Sequence, residues 1–85
     1  MEELLTFVVY DIPDDRVRLR IMNACKDYGL AHTQYSVFCG PLDSTRRGEL
    51  FARLSDTLGS DAGHIIVLPV CEKDAQAQRR VYHPG

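Results

Sequence analysis

Residues 4–15 have the sequence LLTFVVYDIPDD, in which an apolar run ends abruptly in a polar turn. The run Leu4–Tyr10 is apolar at every position but one and rich in β-branched and aromatic side chains, as is typical of a short strand buried on both faces. Pro13 cannot extend a strand ladder, and Asp14 or Asp15 can cap a helix that follows. The stretch therefore predicts a buried strand that turns directly into a helix.

The residues after this turn predict one helix and two short strands. Apolar side chains recur every three or four positions from about Asp15 to Tyr28, which indicates a helix, and Gly29 supplies a left-handed stop. The apolar stripe of this helix contains Val17, Ile21, Ala24 and Tyr28. Residues 30–40 are typical of strand with a break near 34–36, so we expect two short strands there.

The second half of the chain predicts another helix and another strand. Residues 41–45 indicate a turn into a helix over about 44–58, and residues 64–70 form a nearly continuous apolar strand. The buried side of that helix is expected to contain Leu50, Phe51, Leu54 and Leu58. Residues 72–85 are polar, with a short apolar element near Val81 and Tyr82. We therefore expect one domain, 1–85, with a core at about 4–71 and a C-terminal tail.

The order of these elements, β-α-β-β-α-β with a tail, is the ferredoxin-like arrangement of the α+β class. Both helices of that arrangement lie on one face of the sheet, yet the strands Leu4–Tyr10 and His64–Val70 are apolar on both faces. Large exposed apolar patches are rare on monomers, so the open face needs a cover. The same face of a second copy would supply it and give a two-fold homodimer, and the C-terminal tail is the alternative cover.

Composition excludes several classes of protein. The three cysteines, an odd number without a C-x-x-C pair, argue against a disulfide framework or a thiolate zinc site. They are expected to be small buried hydrophobic residues in a reducing cytosol. The opening Met1-Glu2-Glu3 lacks the basic region of a secretory signal, and no apolar run approaches the length of a membrane helix. We expect a cytoplasmic protein without a membrane partner.

Eight of the ten cationic residues are arginines, although the net charge of −2 does not by itself indicate a nucleic-acid-binding protein. Arginine presents a planar fork of donors that suits phosphate, so its positions matter more than the total charge. The candidate nucleic-acid-binding residues are Arg16, Arg18, Arg20, Arg46 and Arg47. The last two open a helix, where the helix dipole disfavours a cation and thereby favours an external anion as partner. The alternative is that Arg16 and Arg20 pair with Asp27 or Asp15 on the helix surface.

Asp11 follows the first strand directly and is the candidate catalytic and metal-binding residue. A carboxylate at a strand end beside a dimer face can lie close to its symmetry mate, and two such groups repel unless a cation neutralises them. Mg²⁺ suits this arrangement because it takes few carboxylates and keeps several waters, one of which it could activate for phosphodiester hydrolysis. The alternative is a turn or helix-capping aspartate, since aspartate is common at turns.

Other catalytic signals are weak. The sequence contains no H-E-x-x-H motif, Walker loop or nucleophile elbow. His32, His64 and His83 are scattered, so each is expected to be structural or solvated. Ser36 has no evident base and is expected to be a strand hydroxyl.

Several short runs of the chain occur in an order and spacing that resemble a known family. These runs are Val8-Val9-Tyr10-Asp11-Ile12, Asp14-Asp15-Arg16, Tyr28-Gly29, Gln34-Tyr35-Ser36-Val37-Phe38 and the strand of residues 65–70 with Pro69, followed by Cys71. Over about residues 5–71 the chain resembles the family of the second core CRISPR-associated protein ("Cas two"), the small subunit of the spacer-acquisition machinery. One departure is Cys39, where many relatives carry a glutamate.

The resemblance implies a ferredoxin-like homodimer in which Asp11 of each subunit is the Mg²⁺ ligand at the dimer axis. It also implies roles for an arginine soon after, here Arg16, and for a Ser-x-Phe pair, here Ser36 and Phe38. The family is described as metal-dependent endonucleases on RNA or DNA, and as the central scaffold between two dimers of the CRISPR integrase. The expected partners are therefore a second copy, an integrase subunit and nucleic acid, either duplex DNA or single-stranded RNA.

Three functions stay open at this point. The resemblance implies a nucleic-acid-binding scaffold of spacer integration in antiviral defence, or a Mg²⁺-dependent endonuclease of the endoribonuclease type. One protein could have both functions. The alternative from another class is a ferredoxin-like regulatory module that binds a small ligand and has no nuclease activity. The arginine excess and the lack of a glycine-rich ligand loop count against that module.

Overall fold

The structure, a computed structural model, describes residues 2–71 of the chain. Its elements are β1 (Glu3–Asp11), α1 (Asp15–Asp27), β2 (Ala31–Gln34), β3 (Val37–Asp43), α2 (Ser44–Leu58) and β4 (His64–Val70). The four strands form one antiparallel sheet in the order β2-β3-β1-β4, which confirms the predicted ferredoxin-like arrangement. The apolar element predicted near residues 81–82 lies outside the described residues.

Strand β1 lies in the middle of the sheet and pairs with β3 over residues 3–9 and with β4 over residues 5–11. Its side chains alternate between the two faces of the sheet. Val8 and Tyr10 are buried beneath the helices, and their neighbour Phe38 on β3 is fully buried there too. At the end of β1, Asp11 is paired with β4 alone, because the pairing with β3 stops at Val9.

Helix α1 begins and ends as its sequence dictates. The Asp14 side chain accepts hydrogen bonds from the backbone N–H groups of Arg16 (2.9 Å) and Val17 (3.0 Å), so Asp14 is the N-cap. At the other end Gly29 takes a left-handed conformation with φ of 81°, which a side chain would disfavour. The buried residues of α1 are Val17, Ile21, Ala24 and Cys25, which matches the predicted stripe apart from Tyr28, a half-buried residue at the C-cap.

Two predictions about the second half of the chain were wrong. Phe51 was expected to be buried, but it is 53% exposed, because the buried line of α2 runs through Leu50 and Leu54 and leaves the next residue on the outer side. Pro41 was expected in a turn, but β3 continues through it to Asp43. The partner strand β2 pairs with β3 no further than Cys39, so Pro41 lies where one side of β3 is an edge, a place where proline is tolerated.

The sheet face turned away from the helices is apolar. The residues of β1 and β4 that alternate onto this face, here called the open face, are Leu5, Phe7, Val9, Ile66, Leu68 and Val70. Ile66 is 58% exposed and Leu68 is 51% exposed in the single chain. The prediction that both faces of these strands are apolar is therefore confirmed, and the open face carries a contiguous patch of the kind that marks interaction surfaces.

The three cysteines differ in burial. Cys25 is buried, Cys39 is half-buried and Cys71 is exposed, so the expectation of three buried hydrophobic residues holds for the first of them and was wrong for Cys71, which follows the last strand. Burial raises the pKa of the Cys25 thiol to about 11. Within residues 2–71 no helix is long and apolar enough to cross a membrane.

Candidate metal and nucleic-acid site

Asp11 is the last residue of β1 and is exposed. The sequence predicted that it follows the strand, whereas the structure keeps it in the ladder, directly opposite His64 of β4. Side chains of a strand alternate between faces, so Asp11 shares the open face with Val9. Within residues 2–71 its carboxylate makes no hydrogen bond or ion pair and caps neither helix, since the caps are Asp14 and Asp43. The alternative of a capping role is thereby removed for Asp11.

Gly63 holds the backbone at Asp11 in place. It precedes β4 with φ of 155°, and a Cβ at this position would lie 3.1 Å from the Asp11 carbonyl oxygen and 3.0 Å from Cγ1 of Ile12. The close approach of these two chain segments therefore depends on the missing side chain. A substitution at Gly63 would strain the loop and displace the strand end that carries Asp11.

Arg18 braces the turn between β1 and α1. Its Nη1 donates a hydrogen bond to the carbonyl oxygen of Ile12 at 3.0 Å, and its Nη2 pairs with the carboxylate of Asp15. The guanidinium has five donors, so some remain for a further partner after these contacts. Arg18 thus couples helix α1 to the residue that follows Asp11.

The three arginines of α1 do not form one surface. At about 100° of rotation per residue, Arg16 and Arg20 lie on the flank that also carries Asp27, whereas Arg18 lies on nearly the opposite flank. Asp27 accepts a hydrogen bond from Arg53 of α2 at 2.8 Å, so the flank of Arg16 and Arg20 faces the α2 side. Both side chains are exposed, and within residues 2–71 neither makes an ion pair. Of the three arginines, Arg18 is the one that contacts the residue next to Asp11, the carbonyl of Ile12.

The two arginines at the start of α2 have partners in the chain itself. The Arg46 guanidinium lies over the Tyr28 ring, with Cζ 5.2 Å from the ring centroid, and Nη1 of Arg47 donates to the carbonyl oxygen of Leu42 at 3.1 Å. These contacts offset the unfavourable dipole at this helix end without any external anion. The dipole at this helix end therefore does not by itself indicate an external anion, and a role of Arg46 and Arg47 in nucleic-acid binding stays a prediction.

A groove lies between the β2–β3 hairpin and α1, next to Asp11. This hairpin groove has a volume of about 400 Å³ and is lined by Tyr10, Asp11, Ile12, Arg18, Met22, His32, Tyr35 and Ser36. Burial is the main cause that raises the pKa of Tyr10, with Cys25 adding to it and Arg18 opposing it. Of the lining residues, Tyr10, Ile12, Met22 and Tyr35 carried no functional prediction. In the sequence, Tyr35 is an aromatic residue in the predicted strand break. Met22 lies in α1 but outside its predicted apolar stripe.

Ser36 connects the hairpin to β1. It has φ of 60°, the one non-glycine residue with positive φ among residues 2–71, and its carbonyl oxygen accepts a hydrogen bond from Tyr10 N–H at 3.0 Å. Such a conformation costs about 1 to 3 kcal/mol unless its surroundings fix it. The expectation of a plain strand hydroxyl was wrong, because Ser36 lies in the two-residue turn between β2 and β3.

Comparison with known proteins gives a consistent result. The chain matches the family model of the CRISPR associated protein Cas2 over residues 4–78. The CRISPR-associated endoribonuclease Cas2 of Desulforudis audaxviator is 45% identical over 76 residues, which are 89% of this chain and 72% of that protein. The protein of the same name from Korarchaeum cryptofilum is 33% identical over 78 residues, 92% of this chain and 84% of that one.

Solved structures agree with these relatives. A crystal structure of a hypothetical protein from Thermus thermophilus has a TM-score of 0.79 and 32% identity, and covers 95% of this chain and 92% of that one. A crystal structure of Cas2 has a TM-score of 0.64 and 31% identity, and covers 79% of this chain and 76% of that one. With the ferredoxin-like strand order, the strand-end aspartate and a family match over residues 4–78, the chain belongs to the CRISPR-associated Cas2 family.

Proposed function

We propose that this chain is a homodimeric, nucleic-acid-binding scaffold of CRISPR spacer integration, with Mg²⁺-dependent phosphodiester cleavage as a property of the paired Asp11 residues. The observation that carries the proposal is the position of Asp11 at the end of the central strand, on the apolar open face. The family match favours this function over a regulatory small-ligand module.

The open face supports the homodimer. Its apolar side chains lie in two neighbouring strands and stay half exposed in the single chain, so burying them against the same face of a second copy removes them from water. A stable interface of this kind would bury about 1,200 Å² or more in total. Since Asp11 belongs to the same face, a two-fold axis that passes near the end of β1 would bring the two carboxylates together.

The Asp11 carboxylate is a hard oxygen ligand of the kind that Mg²⁺ binds. Within residues 2–71 no three His, Cys, Asp or Glu side chains lie together as a metal site, so one chain offers a single carboxylate here. Mg²⁺ is commonly held by one or two carboxylates together with waters and phosphate oxygens, which is the set that two Asp11 residues and a nucleic acid provide. Bound there, the ion would polarise a phosphodiester and lower the pKa of a water.

The exposed arginines support binding to the phosphate backbone. Arg16 and Arg20 project from one flank of α1 with no ion pair among residues 2–71, and a dimer presents this flank twice. Contacts of this kind depend on phosphate charge and carry no sequence information, so we expect duplex binding that is insensitive to sequence. Arg18, Arg46 and Arg47 remain further candidates, although each already has a partner within the chain.

A nuclease assay tests the cleavage part of the proposal. The wild type and Asp11→Ala are each incubated with RNA and DNA, with Mg²⁺ and with a chelator. Cleavage should require both Mg²⁺ and Asp11, and it should fall at low pH, where protonated carboxylates do not bind metal. Cleavage by Asp11→Ala equal to that of the wild type would refute the assignment of this residue.

The scaffold part makes a different prediction for the same variant. Asp11 is exposed, so Asp11→Ala should fold and should still bind duplex DNA and the integrase subunit. Spacer integration should then continue in cells that carry this variant. If a folded, DNA-binding Asp11→Ala protein abolishes integration, cleavage at Asp11 and not the scaffold is the main role.

A further inference from the structure

The residues that line the hairpin groove suit a ligand with a flat, partly apolar ring. The groove volume of about 400 Å³ lies within the range of small-molecule pockets, and Met22 and Ile12 supply apolar contacts next to aromatic side chains. The phenol of Tyr35 lies at the rim and is 96% exposed. An aromatic side chain this exposed contributes little to the core, and its ring is available to a partner outside the chain.

Three aromatic rings lie next to one another across β2, β3 and β1, and two of them, His32 and Tyr10, line the groove. Phe38, fully buried, stacks on His32 with 4.8 Å between the ring centroids and 17° between the ring planes. Tyr10 lies on the other side of Phe38, with centroids 6.2 Å apart. Phe38 covers one face of the His32 ring, while the residue as a whole is exposed and lines the groove.

The groove is also held in shape before anything binds. The hydrogen bond from Tyr10 N–H to the Ser36 carbonyl oxygen ties the hairpin turn to the end of β1. On the opposite wall, the Arg18 guanidinium is fixed by the Ile12 carbonyl and the Asp15 carboxylate, and Arg18 lines the groove. A preformed wall lowers the ordering cost of binding a ring between the hairpin and α1.

We infer that the hairpin groove is a subsite for the base of an unpaired nucleotide, which stacks on Tyr35 and His32 while its phosphate lies near Arg18. This inference rests on the proposed function, since Asp11, the residue that would cleave the strand, also lines the groove. A base inside a duplex cannot enter, because its faces are covered by its neighbours. The subsite therefore distinguishes single-stranded from duplex nucleic acid, whereas Arg16 and Arg20 contact the phosphates of either.

Binding measurements in chelator test this subsite separately from cleavage. Fluorescence anisotropy would follow a single-stranded RNA, a single-stranded DNA of the same sequence and the matching blunt duplex. Tyr35→Ala should weaken single-strand binding by about 5- to 150-fold, the loss expected for one stacked base, and should change duplex binding less than about twofold. Tyr35→Phe should bind like the wild type, because the ring is retained.

Phe51→Ala is the matched control for the loss of an exposed aromatic side chain. Phe51 is 53% exposed on α2 and does not line the groove, so this variant should bind both kinds of strand as the wild type does. Since both replaced side chains are exposed, neither variant should unfold the chain. RNA and DNA single strands should lose affinity equally, because every base offers a π face.

Each outcome decides for or against the subsite. Three results for Tyr35→Ala would overturn base stacking in the groove. They are an equal loss of affinity for single strands and duplex, no loss of affinity for either, and a loss of affinity confined to RNA. A wild type that does not cleave with Mg²⁺ but shows Tyr35-dependent single-strand binding would refute the nuclease and leave the subsite standing. Asp11-dependent cleavage with unchanged binding by Tyr35→Ala would refute the subsite and leave the nuclease standing.

Discussion

Replacing Ile66 with alanine should weaken self-association of the chain strongly, whereas the same change at Leu19 should not. Both side chains are about equally exposed in the single chain, 58% for Ile66 and 55% for Leu19. Ile66 lies on the open face, and Leu19 lies on helix α1 at the other side of the sheet. The pair therefore separates the effect of position from the effect of removing an exposed aliphatic side chain.

The size of the effect follows from the exposed fraction. Full burial of a side chain of this kind contributes about 1.5 to 3 kcal/mol, and roughly half of it remains available for Ile66. A two-fold dimer contains the substitution twice, so the total loss is about 1.5 to 3 kcal/mol. The dimer dissociation constant should then rise by roughly 10- to 150-fold.

Sedimentation equilibrium over a range of protein concentrations would measure this shift. Ile66→Asp provides a second, larger perturbation, since it would bury an unpaired charge on each side of the interface. A dimer that survives Ile66→Asp, or an equal weakening by Leu19→Ala and Ile66→Ala, would refute the open face as the interface.

The remaining predictions concern charge, packing and the thiol. Neutralising Arg16 and Arg20 together should lower the slope of log affinity against log salt by roughly 1 to 2 per chain, and an unchanged slope would exclude both residues from the contact surface. Leu54→Ala removes a fully buried side chain and should lower the free energy of unfolding by about 2 to 5 kcal/mol in a urea titration. Gly63→Ala should lower stability by about 1 to 3 kcal/mol and reduce Asp11-dependent cleavage, since its Cβ would press on the Asp11 carbonyl. Because burial raises the pKa of Cys25 from 9.0 to about 11, its stabilising effect is complete below pH 9 and is lost as the pH rises towards 11. Urea midpoints of the wild type and Cys25→Ala should therefore converge over that interval.

The fold could be predicted from the sequence because its signals are local. The apolar run that ends at Asp11, the cap at Asp14 and the stop at Gly29 each act within a few residues, and the structure retains all three. The separation of the arginines of α1 onto two flanks could also be predicted, since helical geometry places Arg18 about 160° from Arg16.

Tertiary contacts determine the features of the site that could not be predicted from the sequence. Arg46 finds its partner in Tyr28, which precedes it by a whole hairpin, so no local pattern relates the two residues. Ser36 takes a conformation usually left to glycine, and the groove beside it forms only when the hairpin is tied to Tyr10. Such contacts between distant segments determine the shape of the site, whereas the local pattern determined the position of Asp11.

Metal stoichiometry tests most directly whether two copies share one site at Asp11. Mn²⁺, a spectroscopically visible substitute for Mg²⁺, would be titrated into the wild type and into Asp11→Asn, with free ion measured by electron paramagnetic resonance. We predict one bound ion per two chains in the wild type and loss of that ion in Asp11→Asn, with the dimer intact in both. One ion per single chain, or the same binding in Asp11→Asn, would contradict a metal site formed by the two Asp11 carboxylates.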